Sequence, residues 1–196
     1  MISSHMIFDV KMEDLRHEAR LVVQGHVIDT PSTIRYERLV SKETVRIALK
    51  LADLNGADIQ NAYITAPVTE NLWTVLGPEF GEYSGRKAIV VCALYGLESA
   101  GAAFRNHLAD YMNQLGFLPC TSDLDLLMKT MVRSDDGFNY YAYFLIDVDD
   151  VMFIHHDAKS VLSRIDKYFK LKTISIGDPE IYLGAKLKKT RPENGV

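Results

Sequence analysis

Apolar positions recur at helical spacing in three stretches of the chain and cluster in short β-rich blocks elsewhere. In residues 41–56, "SKETVRIALKLADLNG", Val45, Ala48, Leu49 and Ala52 fall three and four apart. Ser41 stands at the capping position and Asn55-Gly56 ends the run, which predicts a helix. Residues 99–116, "SAGAAFRNHLADYMNQLG", predict a second helix that stops at Gly116. "AKSVLSRIDKYFK" predicts a third, with Asp157 as its cap and Val161, Leu162, Ile165 and Phe169 as its apolar face.

Strands are expected at "EARLVVQGHVI", as a strand or hairpin around Gly25, and at "ADIQNAYI", ended by Pro67. "KAIVVCALYG" reads as a buried strand running into a turn, and "GPEFGEYSGRK" before it as an exposed, turn-rich segment. "YYAYFLI" and "VMFIH" read as strands flanking an acidic tip, and "EIYLGAKLKK" as a strand after a turn at Gly177–Pro179. "TPSTIRYERLVS" reads as a loop. Strands and helices mix without strict alternation, so the expected class is α+β.

The acidic tip raises the chemical question. In "FLIDVDDVMFIHHD", residues 144–157, Asp147, Asp149 and Asp150 crowd between two apolar runs. Aspartate is common in plain turns because it tolerates turn geometry and bonds its own backbone. The flanking runs are apolar on both faces, however, which places the hairpin at the centre of a sheet. Carboxylates about 4 Å apart repel by roughly 4 kcal/mol at an effective dielectric of 20. A divalent cation removes that cost, and Mg²⁺ is held by one or two carboxylates together with substrate phosphates. Asp58, near the start of the expected strand "ADIQNAYI", is the candidate for a carboxylate arriving from elsewhere. Two ions held by carboxylates of two strands are the arrangement used in polymerases. His155 and His156 are neighbours on a strand and point to opposite faces, so they cannot chelate one ion together.

Composition narrows the partners. The chain has 196 residues, enough for one domain or two small ones, and its 47% hydrophobic and 24% charged residues are those of a globular protein. A net charge of −4 gives no overall basic signature for nucleic acid. The cluster Lys186, Lys188, Lys189 and Arg191 could still meet phosphates, or be a solvated face. Cys92 and Cys120 belong to no CxxC pair, which argues against disulfide and zinc scaffolds and for a reducing compartment. The longest apolar run, Ala88 to Leu97, is too short to cross a bilayer, and "MISSHM" has no signal-peptide pattern.

Five segments in order then carry a resemblance: "ARLVVQGH", "ADIQNAYITAP", "ALYGLESAGAAFRNHLADYM", "VDDVMFIHHD" and "GDPEIYLGAKL". The chain resembles, over nearly its whole length, the reverse transcriptase of copia-type retrotransposons. The resemblance implies a palm of antiparallel sheet backed by helices, a partial fingers subdomain and no thumb, residues 1–196 being one fingers-and-palm fragment of a longer polyprotein. It implies two Mg²⁺, with Mn²⁺ as the alternative ion, held by Asp58, Asp149, Asp150 and the carbonyl of Ile59. Asp58, Asp149 and Asp150 would be catalytic. Arg20 would touch the triphosphate, Asn61 and Ala62 would present backbone groups to the nucleotide, and Tyr63 would reject a ribose 2′-hydroxyl. Tyr95 and Gly96 would lie under the nucleotide, and Leu183 and Gly184 would hold the primer end. The partners implied are an RNA template, a DNA primer and deoxynucleoside triphosphates, without a membrane. The location implied is intracellular, in the cytoplasmic particle of the element.

The chain departs from the family at several places. Asp147 stands where Tyr is usual, Glu98 and Glu18 where lysines are, and Cys92 where an arginine is common. The stretch "LADLNGAD" before Asp58 is a few residues short. These changes make a catalytically inactive palm-fold remnant, with weak nucleic-acid binding, the alternative to an active polymerase. A receiver-type phosphoacceptor domain is a third reading, but it needs a crossover helix after the acidic cluster where "VMFIH" reads as a strand.

Overall fold

A computed structural model describes residues 1–11, 15–25, 40–51, 55–177, 181–182 and 185–186. In chain order the elements are β1 (Ser4–Val10), β2 (His17–Val23), α1 (Lys42–Leu51), β3 (Asn55–Asp58), α2 (Ala62–Thr65), β4 (Pro67–Val75), β5 (Lys87–Cys92) and α3 (Ala100–Gln114). There follow β6 (Leu118–Pro119), β7 (Leu126–Val132), β8 (Asn139–Asp147), β9 (Asp150–Ile154), α4 (Ala158–Phe169), β10 (Ile181–Tyr182) and β11 (Ala185–Lys186). All the pairings between these strands are antiparallel, so the α+β expectation holds. The chain divides into two compact units, residues 1–38 with 61–115, and residues 39–60 with 116–196.

The second unit is built on a five-stranded sheet in the order β3-β9-β8-β7-β6. The β8–β9 hairpin is therefore central, as its two-sided apolar pattern requires. One face presents Leu145, Met152 and Ile154 to Val45 and Ala48 of α1, with Val40 and Leu49 alongside. The opposite face carries Phe144 and Phe153, fully buried with ring centroids 4.4 Å apart. Helix α1 begins as the sequence predicts: the Thr44 N–H donates to the Ser41 hydroxyl at 3.1 Å. A distant residue secures the same end, because Asp123 accepts from the Ser41 N–H at 3.0 Å and the Thr44 hydroxyl at 2.6 Å. Helix α4 is capped by Asp157, which accepts from the Ser160 N–H at 3.2 Å, and its Val161, Leu162, Ile165 and Phe169 are buried.

The first unit holds two separate two-stranded ribbons, β1–β2 and β4–β5, and helices α2 and α3. Gly116, just beyond α3, has φ 88°, the left-handed stop that the sequence predicts. The N-terminal residues take part in this unit. Ile2 is buried and its N–H donates to the Trp73 carbonyl at 3.0 Å, and Ser4–Val10 forms a strand that "MISSHM" gives no sign of.

Other expectations change. Asn55-Gly56, expected to end the first helix, opens β3 instead, and α1 spans Lys42–Leu51. Residues 57–64 are not one strand. Strand β3 stops at Asp58, Asn61 turns left-handed at φ 53°, and Ala62–Thr65 makes a single helical turn closed by the Thr65 hydroxyl on the Ala62 carbonyl at 2.6 Å. Asp58 thus ends its strand instead of opening one. Strand β5 is not buried: Ile89 and Val91 are 79% and 70% exposed, because a two-stranded ribbon leaves one face uncovered. Strands β6 and β7 complete the main sheet, although "LLMKTMV" shows no two-residue alternation.

Candidate functional site

The sheet places the acidic residues in a row. Across the β3–β9 pair Asp58 is directly opposite Asp150, and across the β8–β9 pair Asp150 is directly opposite Asp147. Directly opposed residues of an antiparallel pair share a face, with Cβ atoms about 4.5–5.5 Å apart. Asp58, Asp150 and Asp147 therefore line up on one face at one end of three adjacent strands. Asp149 sits in the tip, and its carbonyl accepts the Ile59 N–H at 2.9 Å, tying the hairpin to the end of β3. Ile59 itself is fully buried.

The tip is a two-residue hairpin whose first turn residue, Val148, has φ 54°. Glycine is the usual residue there, and a β-branched side chain at positive φ costs of order 1–3 kcal/mol. The strain falls at the acidic end of the sheet, where the remaining structure of the strands holds it in place.

Electrostatics mark the row as under-neutralised. The Asp150 carboxyl is pushed up to about 6, first by partial burial and then by Asp149, Asp58 and Asp147, with Lys172 acting in opposition. Its outer edge remains open to solvent. The Asp147 carboxyl is also raised, by burial foremost and then by Asp149 and Asp125. Asp147 is 7% exposed, and its Oδ1 has no hydrogen-bond partner among the described residues. Asp58 meets a cation: Lys172 Nζ lies 2.5 Å from its Oδ2. The carboxylate donors suit an oxygen-seeking ion such as Mg²⁺, and the ammonium beside Asp58 shows that the position accepts positive charge. Among the described residues no three His, Cys, Asp or Glu side chains are drawn together as ligands of one ion. Asp58 is turned towards Lys172 instead.

The first unit gathers the residues matched to the nucleotide. Tyr63 and Tyr95 have ring centroids 4.9 Å apart, and Phe104 lies 6.4 Å from Tyr63. The Arg20 guanidinium stands 5.6 Å from the centre of the Tyr95 ring. Gly96 has φ 93°, and a Cβ there would lie 2.1 Å from the Val23 carbonyl oxygen, so only glycine fits where this turn meets β2. Asn61 is exposed in its left-handed position, and Ala62 beside it is buried. Leu183 and Gly184 lie outside the described residues.

Glu18, one of the departures, has a structural role on the β1–β2 ribbon. Its carboxylate lies 2.8 Å from Arg20, 3.1 Å from Arg16 and 3.6 Å from Lys11. The hydrogen bond from Arg20 first, and the charges of all three cations, hold its carboxyl below the usual range. The sequence flagged Glu18 as a lost lysine and gave no sign that it would engage Arg20. Lys172 was missed altogether: "KLKT" is an ordinary basic stretch, and only its pairing with β3 reveals its position. His155 and His156 do not act together. His155 Nδ1 accepts the Asp157 N–H at 2.8 Å, while His156 faces Asp135 at 4.0 Å. Cys92 and Cys120 are free and half-buried. Among the described residues no helix is long and apolar enough to cross a membrane.

A family model described as "Reverse transcriptase (RNA-dependent DNA polymerase)" matches residues 1–192. The chain is 26% identical over 190 residues to a protein described as "Retrovirus-related Pol polyprotein from transposon RE2" of Arabidopsis thaliana. It is 25% identical over 190 residues to the corresponding polyprotein from transposon RE1 of the same plant. Each match covers 89% of this chain and 12% of the relative, so the chain spans about an eighth of the length of these polyproteins. The chain belongs to the reverse transcriptase (RNA-dependent DNA polymerase) family, in its copia type.

Proposed function

We propose that the chain is the fingers-and-palm part of an RNA-directed DNA polymerase, transferring nucleotides from deoxynucleoside triphosphates to a primer 3′-hydroxyl on an RNA template. The observation that carries this reading is the register that sets Asp58 opposite Asp150 beside the tip bearing Asp149. Asp58, Asp149, Asp150 and the Ile59 carbonyl would hold two Mg²⁺, or Mn²⁺, which when bound supply activation of the attacking hydroxyl and charge for the leaving phosphates. The protein's own groups do the positioning. The Arg20 fork suits phosphate oxygens, and stacking on Tyr95 limits its freedom. The ring of Tyr63 packs against Tyr95, and it would be the group that clashes with a 2′-hydroxyl. Asn61, Ala62 and Gly96 would offer backbone to the nucleotide, and Leu183 and Gly184 would meet the primer. The setting we assign is the intracellular particle of a retrotransposon.

Primer extension on poly(rA)–oligo(dT), with Mg²⁺ and with Mn²⁺, tests the reading. Incorporation that disappears in Asp149→Asn supports it. One pair of observations favours a second reading, an inactive remnant that still binds nucleic acid weakly: Glu18 engages Arg20, and Lys172 engages Asp58. Binding to primer–template without incorporation at any nucleotide or metal concentration would establish that reading instead.

A further inference from the structure

The segment following α4 runs back along the edge of β3 that β9 leaves free. Ile59 pairs with Leu171, the Lys172 N–H donates to the Asp58 carbonyl at 2.9 Å, and Gly56 and Gly177 exchange hydrogen bonds of 2.7 and 3.1 Å. A 3-10 turn over Thr173–Ser175 closes behind Lys172. There the Ser175 hydroxyl donates to the Lys172 carbonyl at 2.8 Å and accepts the Asp58 N–H at 2.8 Å. The backbones of Lys172 and Asp58 are thereby locked side by side. Their side chains then meet with 2.5 Å between Nζ and Oδ2, at 32% and 24% exposure. Most surface ion pairs must order two free side chains and contribute little. This one starts from main chain already in register, and it lies against a row of carboxylates that repel one another.

We propose that Lys172 is a built-in counter-ion of the acid row, which a divalent cation must displace from Asp58 in order to bind. The inference rests on the reading of Asp58 and Asp150 as cation ligands and adds a residue that sets the affinity of that site. A lysine suits the role. Its ammonium is a compact point charge on a flexible stem, so it can neutralise Asp58 in the empty site and swing aside when an ion of higher charge arrives. Displacement costs the ion pair, so the site is weaker for metal than its carboxylates alone would make it.

The test is direct Mn²⁺ binding, followed by water-proton relaxation without nucleotide or primer. Lys172→Met should bind Mn²⁺ about three- to tenfold more tightly than the unaltered chain, and Lys172→Arg, which keeps the charge, should restore weak binding. Equal or weaker binding by Lys172→Met, with binding abolished in Asp58→Asn, overturns the inference and leaves the metal-site reading standing. No Mn²⁺ binding by any of the three lysine-position forms overturns both. A second measurement needs no variant. In the unaltered chain, acylation of the Lys172 amine, read by peptide mass spectrometry, should speed up as Mn²⁺ saturates the site. A rate independent of Mn²⁺ overturns the inference.

Discussion

The two charged regions of this molecule are made in opposite ways. The acid row of Asp58, Asp150 and Asp147 sits at the end of a five-stranded sheet with both faces of its central hairpin buried. The cations Lys11, Arg16 and Arg20 sit on a two-stranded ribbon, with side chains from 34% to 52% exposed. Buried strands can impose like-charge crowding, because the packing beneath them supplies the energy. The exposed ribbon also sets two carboxylates opposite each other, Asp9 and Glu18, but there the cations around Glu18 offset the repulsion. Yet each region holds a residue of opposite sign among its charges, Lys172 beside the acid row and Glu18 among the three cations. The difference lies in the setting: Lys172 meets its partner across main-chain pairing with the edge of β3, whereas Glu18, itself paired opposite Asp9 in the β1–β2 ladder, meets cations two residues away on either side, Arg16 and Arg20.

That contrast can be broken at several points. The largest effect is expected in the sheet core. Phe153→Ala removes a fully buried ring packed on Phe144 and should cost about 3–5 kcal/mol in urea unfolding, whereas exposed positions on the ribbon should tolerate truncation. Next comes Asp150→Asn, expected to reduce primer extension by about a thousandfold. It also carries a pH signature. The folded Asp150 carboxyl, at about 6, lies above the ordinary aspartate value, so the folded state binds more protons between the two. Its contribution to stability is complete below the unfolded value, near pH 4, and is lost as pH rises through about 6. Unfolding midpoints measured from pH 4 to pH 7.5 should therefore fall less steeply in Asp150→Asn than in the unaltered chain.

Smaller effects sharpen the comparison. Val148→Gly relieves the positive-φ strain at the hairpin tip and should stabilise the fold by about 1 kcal/mol, seen as a higher urea midpoint. Smallest is Glu18→Gln. It releases Arg20 without disturbing packing and should tighten deoxynucleoside triphosphate binding about threefold at low salt. That gain should vanish at about 1 M salt, where screening reaches within about 3 Å. A large loss of stability in Glu18→Gln would show that the ribbon depends on its charges as the sheet depends on its core.

Much of the layout was legible in the chain. Periodicity located α1, α3 and α4, with Ser41, Gly116 and Asp157 at their ends but not the stop of α1, and the two-sided apolar runs around "DVDD" placed that hairpin inside a sheet. What escaped notice depends on pairing across long sequence distances. Strand β7 lacks alternation because it lies within the sheet, and β1 is mostly exposed, so neither shows a period. The end of β3 is hidden in the chain because "ADIQNAYI" is apolar enough for a strand, while Asn61 takes a left-handed turn that composition does not announce. The candidate carboxylates were readable from local crowding of charge. Their counter-ion was not, because Lys172 reaches Asp58 across 114 residues.

The central claim is that Asp58 and Asp150, from separate strands, grip cations jointly. A double-mutant cycle on Mn²⁺ binding tests it most directly, using Asp58→Asn, Asp150→Asn and the pair. The account predicts strong non-additivity, each single change losing nearly as much affinity as both together. Losses that simply add, or a single change that leaves binding intact, would contradict it.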